Sequence, residues 1–93
     1  MAKLTLYTNY SIRASAARQQ LNSLGIDYVE VNVDQDADAR DFLDQQRPII
    51  GFPPPQYYVG DQLVWPEGFH QVSALTAEQI NQKIEEINAS STK

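Results

Sequence analysis

Gln56-Tyr57-Tyr58-Val59-Gly60-Asp61-Gln62-Leu63-Val64-Trp65, residues 56–65, is the stretch on which the fold turns. Two short runs of β-forming residues flank a Gly-Asp pair, and a two-residue connection of that kind closes an antiparallel hairpin. Working back from it, Lys3-Leu4-Thr5-Leu6-Tyr7-Thr8 alternates polar and apolar residues and predicts a first strand, and residues 28–33 predict a second. Between these two, Asn9-Tyr10-Ser11 offers cap-type residues ahead of a helix over 12–24. Ala14, Ala17, Leu21 and Leu24 share one face of that helix, and Gly25 suits the left-handed residue just past its end. A second helix is predicted from a cap at Asp34 or Asp36 to Gln46, with Ala39, Phe42 and Leu43 inward and Pro48 beyond its end. On the far side of the hairpin, Pro66-Glu67-Gly68 breaks the chain and a last helix runs to about Asn88. Thr76 and Gln79 form its capping box, and Ile80, Ile84 and Ile87 its apolar face. Strands joined by helical crossovers are parallel and hairpin strands antiparallel. The order β-α-β-α-β-β-α therefore predicts an α/β fold: a four-stranded mixed sheet with three helices on its two faces.

Ninety-three residues suffice for one domain with one modest core, expected over 1–88, with 89–93 a small, polar, frayed tail. No apolar run approaches the ~20 residues needed to cross a bilayer. No basic stretch followed by an apolar run opens the chain, so no signal peptide is expected and the cytoplasm is the expected location. Twelve acidic residues against seven basic give a net charge of −5, which counts against nucleic acid and anionic membranes as partners. The absence of cysteine excludes disulfides, thiolate metal sites, Cys nucleophiles and dithiol redox chemistry. No metal or cofactor is expected. Asp34, Asp36, Asp38, Asp41 and Asp44 read as helix-capping and solvated acids. The single histidine, His70, makes no metal site without carboxylates converging on it.

The layout is thioredoxin-like, and within it the chain resembles the glutaredoxins, including the glutaredoxin-like redoxins that serve ribonucleotide reductase. Leu6-Tyr7-Thr8 is similar to the strand leading into the family's active-site loop, and Gly25-Ile26-Asp27-Tyr28 with Val31-Asn32-Val33-Asp34 to its helix end and second strand. Pro55-Gln56-Tyr57-Tyr58-Val59 stands at the Thr-Val-Pro segment and third strand. Trp65-Pro66-Glu67-Gly68-Phe69 resembles the Trp-Ser-Gly-Phe segment of the reductase-serving branch, with one residue extra. The family's Cys-x-x-Cys, counted from Tyr7-Thr8 and from Gly25, falls without a gap on Ile12 and Ser15. A thiolate at a helix N-terminus is what such a site uses, and isoleucine supplies none. The resemblance thus implies the fold, a source among bacteria or their phages, and no thiol-disulfide activity. Ile is not a near-isosteric stand-in for Cys, and the family's neighbouring Lys and Pro are absent too, so the loss reads as native to this chain.

The same resemblance assembles a former substrate groove from Tyr10, Ser11, Ile12, Arg13 and Ser15, from Pro53, Pro54 and Pro55, and from Gly68, Phe69 and His70. Pro55 matches the family's cis-proline. The residue before it ordinarily offers its N–H to glutathione or an extended peptide, and Pro54 has no N–H to offer. The Gly68 turn matches the place where glutathione's γ-glutamyl carboxylate rests on a helix N-terminus, but Glu67 beside it repels an anion. Tyr10, Ile12, Pro53 and Pro54, with Trp65 either beside them or in the core, read as an apolar patch for a protein partner, or alternatively as a plug for the vacated groove. Three functions are therefore open. The first is a non-catalytic protein-binding module, the second a glutathione or small-anion binder using Arg13, and the third a weak enzyme pairing Ser11 or Ser15 with His70.

Overall fold

Leu4, Leu6 and Thr8 lie on one buried face of β1 (Leu4–Thr8), as the alternating sequence requires, and this strand runs through the middle of the sheet. The computed structural model describes residues 2–91. The strand order is β2-β1-β3-β4, with β2 at Tyr28–Asn32, β3 at Gln56–Val59 and β4 at Gln62–Val64. β1 pairs in parallel with β2, from Leu4 opposite Tyr28 to Thr8 opposite Asn32, and antiparallel with β3, where Leu6 meets Tyr57. β3 and β4 form the expected hairpin, Val59 opposite Gln62 around Gly60 at φ +62°.

Helix α1 (Ile12–Ser23) starts where the Ser11 hydroxyl accepts the Ala14 N–H at 3.2 Å. Of the two acids eligible to cap α2 (Ala37–Gln46), Asp36 takes the role and accepts the Ala39 N–H at 3.1 Å. Tyr57 and Tyr58 follow each other on β3 and so enter opposite faces. Tyr57 packs edge-on against Trp65 among Leu4, Leu6, Leu21, Val72, Ile80 and Ile87; Tyr58 meets Tyr7 and Phe42 beside Val33 and Leu43. Helices consequently cover both faces. Among the described residues no helix is long and apolar enough to cross a membrane.

β1, α1 and β2 are each one residue shorter than the sequence reading, and three further differences have a structural cause. β4 stops at Val64 because Trp65 leaves the extended region, at φ +52°, and returns its ring to the core. A short helix precedes the last one. A four-residue α3 (Phe69–Val72) closes with the Ser73 hydroxyl donating to the His70 carbonyl at 3.1 Å, giving four helices instead of three. The Thr76–Gln79 box, with bonds of 2.9 and 3.2 Å, then starts α4 (Ala77–Ser91) afresh. α4 also runs past Asn88, so residues 89–91 of the expected tail are helical; Thr92 and Lys93 lie outside the described residues. Asn88 secures that end by accepting the Ala2 N–H and donating to the Ala2 carbonyl, both at 2.9 Å.

The Tyr57 hydroxyl is buried without a hydrogen-bond partner among the described residues, and burial pushes its pKa above the ordinary 10.0. The fold thus favours the neutral phenol. That contribution is complete below about pH 10 and is lost as the pH rises above it. Tyr57→Phe removes an unsatisfied group, so it should change stability by less than about 1 kcal/mol at neutral pH. It should also shrink the alkaline loss. Urea unfolding at pH 7 and pH 11 measures both, and a loss above about 2 kcal/mol at pH 7 would reveal a partner for the hydroxyl.

Candidate functional site

The C-terminal end of β1 delivers the chain to α1 through a fastened loop. Asn9 Oδ1 accepts the Ser11 N–H at 3.0 Å, Asp34 Oδ2 accepts the Tyr10 N–H at 3.3 Å, and Gln35 Nε2 donates to the Tyr10 hydroxyl at 2.6 Å. The Tyr10 side chain stays exposed despite that bond, and Ile12, the first residue of α1, is 90% exposed. Neither plugs a groove. The Ser15 hydroxyl accepts from Arg18 Nη2, one turn further along the helix, at 3.4 Å. Arg18 in turn meets Glu30 at 3.0 Å, and the Thr8 hydroxyl donates to the same carboxylate oxygen. Arg13 projects with no ion-pair or hydrogen-bond partner among the described residues.

The facing wall is the triple-proline loop, and two side chains missed in the sequence hold it. Arg47 ends α2; its Nη1 donates to the Pro66 carbonyl at 3.1 Å, its Nη2 to Gln56 Oε1, and its guanidinium lies 4.3 Å from the Phe52 ring centre. Gln56 Nε2 donates to the Phe52 carbonyl at 3.0 Å and the Pro53 carbonyl at 3.2 Å. A glutamine opening an otherwise apolar strand was the one sign of this clamp in the sequence, and the structure buries it. The Pro54–Pro55 peptide is cis, Pro54 and Pro55 are buried, and Pro53 is exposed.

The third wall is the turn after β4. Gly68 sits at φ +68°, ψ −141°, and a Cβ there would come within 3.1 Å of the Pro55 carbonyl oxygen, so this turn and the proline loop touch through a position that glycine alone fits comfortably. Arg13, Phe52, Pro53, Pro55, Glu67 and Phe69 border the resulting groove of about 280 Å³. Tyr10, Ser11, Ile12, Ser15, Pro54 and His70 are not part of its lining, although Ile12 adjoins Arg13 in the chain. Trp65 belongs to the core, edge-on to Tyr57 with ring centres 5.6 Å apart.

Chemically, the arrangement has little to react with. Ser11 caps a helix, Ser15 faces Arg18, and the exposed His70 side chain has no hydrogen-bond partner among the described residues, so no hydroxyl–imidazole pair exists among them. No group of three or more potential metal ligands gathers among the described residues.

The glutaredoxin family model matches residues 14–64, just over half of the 93-residue chain. The chain belongs to the glutaredoxin family. No curated protein matches it significantly. The match to the glutaredoxins opens at Ala14 and closes at Val64, so Ile12 and the turn from Trp65 to Phe69 lie outside it. The shared part is therefore most of the scaffold: α1 from Ala14, β2, α2, the proline loop and the β3–β4 hairpin, with β1 outside it. This glutaredoxin has no cysteine and hence no sulfur with which to form a mixed disulfide.

Proposed function

We propose that this glutaredoxin is a cytoplasmic, redox-inactive module that binds a protein partner through its former substrate groove. One observation carries the reading. Apolar side chains stand uncovered at and beside the groove, with Ile12 at the position of the family's nucleophile and Phe52 on the opposite wall. Glutathione is the second reading, and Arg13 favours it, being a cation with no protein partner in a groove of small-molecule size. Three features weigh against it: Pro54 has no N–H, Glu67 is an anion on the same rim, and α3 has only four residues. The Ser–His enzyme reading is not proposed, for want of a paired nucleophile and base.

Affinity capture from source lysate with the tagged parent and a Tyr10→Ala, Ile12→Asp variant tests the reading. An acid in the first turn of α1, which now has none, suits the helix dipole, so the variant should keep its fold and Tm. The expected result is a partner held by the parent and lost by the variant. Equal retention by both, or shifts of the Arg13 and Phe69 amides on adding millimolar glutathione without any captured protein, would overturn it.

A further inference from the structure

The groove has a lopsided hydrogen-bonding inventory. Pro53, Pro54, Pro55 and Pro66 have no N–H at all. The N–H groups of Gly51 and Phe52 turn inward to the Pro48 carbonyl, that of Gly68 to the Trp65 carbonyl, and that of Glu67 to the Gln71 side chain. The Gln56 amide is held by the Phe52 and Pro53 carbonyls. Among the described lining residues, Arg13 is left as the side-chain donor that still faces the groove.

An extended β-type peptide laid along this loop would find the Pro54 carbonyl as an acceptor but no loop N–H to pair with its own carbonyls, so half of each ladder rung would lose water without replacement. A polyproline II segment has no such requirement. Its carbonyls stay solvated or accept from a guanidinium, its prolines carry no N–H, and its rings pack on aromatic and proline surfaces. Those surfaces line the groove: Phe52, stiffened by the Arg47 guanidinium at 4.3 Å, with Phe69, Pro53 and Pro55. Charge selects further. Glu67 sits on the rim without an ion-pair partner among the described residues, and the chain carries a net −5, so a basic residue in the ligand is complemented locally and at long range.

We infer that the groove takes a proline-rich segment of its partner as a polyproline II helix, with one Lys or Arg set against Glu67 and Arg13 donating to a ligand carbonyl. This rests on the protein-binding reading above and goes beyond it in naming the ligand's conformation and charge.

The test is an NMR titration of the full ¹⁵N-labelled chain with three acetylated, amidated peptides of equal length. One is proline-rich with a single lysine, one is the same with glutamate for lysine, and one is an alternating Thr/Val peptide with a single lysine. The proline-rich lysine peptide should shift the amides of Arg13, Phe52 and Phe69. Glutamate in place of lysine should weaken it about two- to fivefold, as should Glu67→Gln, the size of an exposed ion pair. Phe52→Ala should weaken it about tenfold, as removal of an aromatic anchor does. Equal or tighter binding of the Thr/Val peptide at the same amides overturns the polyproline choice and leaves the protein-binding reading standing. Shifts centred on Gln79 and Gln82, in the separate depression between β4 and α4, overturn the site. No shift with any peptide overturns the inference, while partner capture judges the wider reading separately.

Discussion

Gly68→Val should remove on the order of 3–5 kcal/mol of stability, a large share of the roughly 5–15 kcal/mol that holds a domain of this size folded. Two costs combine. At φ +68°, ψ −141° an L side chain is strained, a β-branched one most of all. Its Cβ would also lie 3.1 Å from the Pro55 carbonyl oxygen, a backbone atom that cannot swing aside as a side chain does. The loop carrying that oxygen is clamped by Arg47 and Gln56, which limits its retreat. Two other glycines separate the contributions. Gly25 has φ +70° but open space around its missing Cβ, so Gly25→Ala should cost about 1 kcal/mol. A Cβ at Gly51 would lie 3.9 Å from the nearest atom, with no positive φ, so Gly51→Ala should be within about 0.5 kcal/mol of neutral. Urea unfolding of the three variants checks the ranking. Equal costs for the substitutions at Gly25 and Gly68 would show that the contact with Pro55 is without weight.

The second large effect is a gain. The parent should reduce neither insulin nor hydroxyethyl disulfide. Ile12→Cys combined with Ser15→Cys should create a thiol that titrates below its ordinary value of about 8.5. Position 12 is the first residue of α1, is 90% exposed, adjoins Arg13, and has no acid in its helical turn to offset the dipole. Alkylation rate against pH reads this directly, and an apparent pKa at or above 8.5 would sink the expectation. Catalytic turnover with glutathione disulfide should remain low, because Pro54 still offers no N–H to the substrate backbone. Adding Pro54→Val to the double variant should raise turnover further. Disulfide reduction by the repurified parent would contradict the redox-inactive reading outright.

The sheet was readable because its signals are local. A Gly-Asp turn sets the register of the hairpin, and consecutive Tyr57 and Tyr58 announce a strand buried on both faces. The start of α4 was marked by the Thr76–Gln79 box, whereas α3 was not foreseen, since four residues are too few to show a helical period. At the site, the spacing of Pro55 and Gly68 located two facing walls without saying how they are fixed. The Arg47–Gln56–Phe52 clamp joins a helix end, a strand start and a loop, and contacts of that kind follow no period. Trp65 shows the other limit. As sequence it belongs equally to the patch or to the core, and the difference is one backbone angle, φ +52°, which sends the ring inward to Tyr57.

The paired bonds between Asn88 and Ala2 seat the last helix against the entry to β1, at the opposite end of that strand from the loop that leads to Arg13. Ala2 and Asn88 therefore lie together at the rear of the molecule, away from the groove. Such a domain can be tethered, doubled in tandem or immobilised by its ends with the groove still facing outward. The same adjacency makes it a candidate for circular permutation, with a short linker closing 2 to 91 and new ends opened at the exposed Gly60-Asp61 turn.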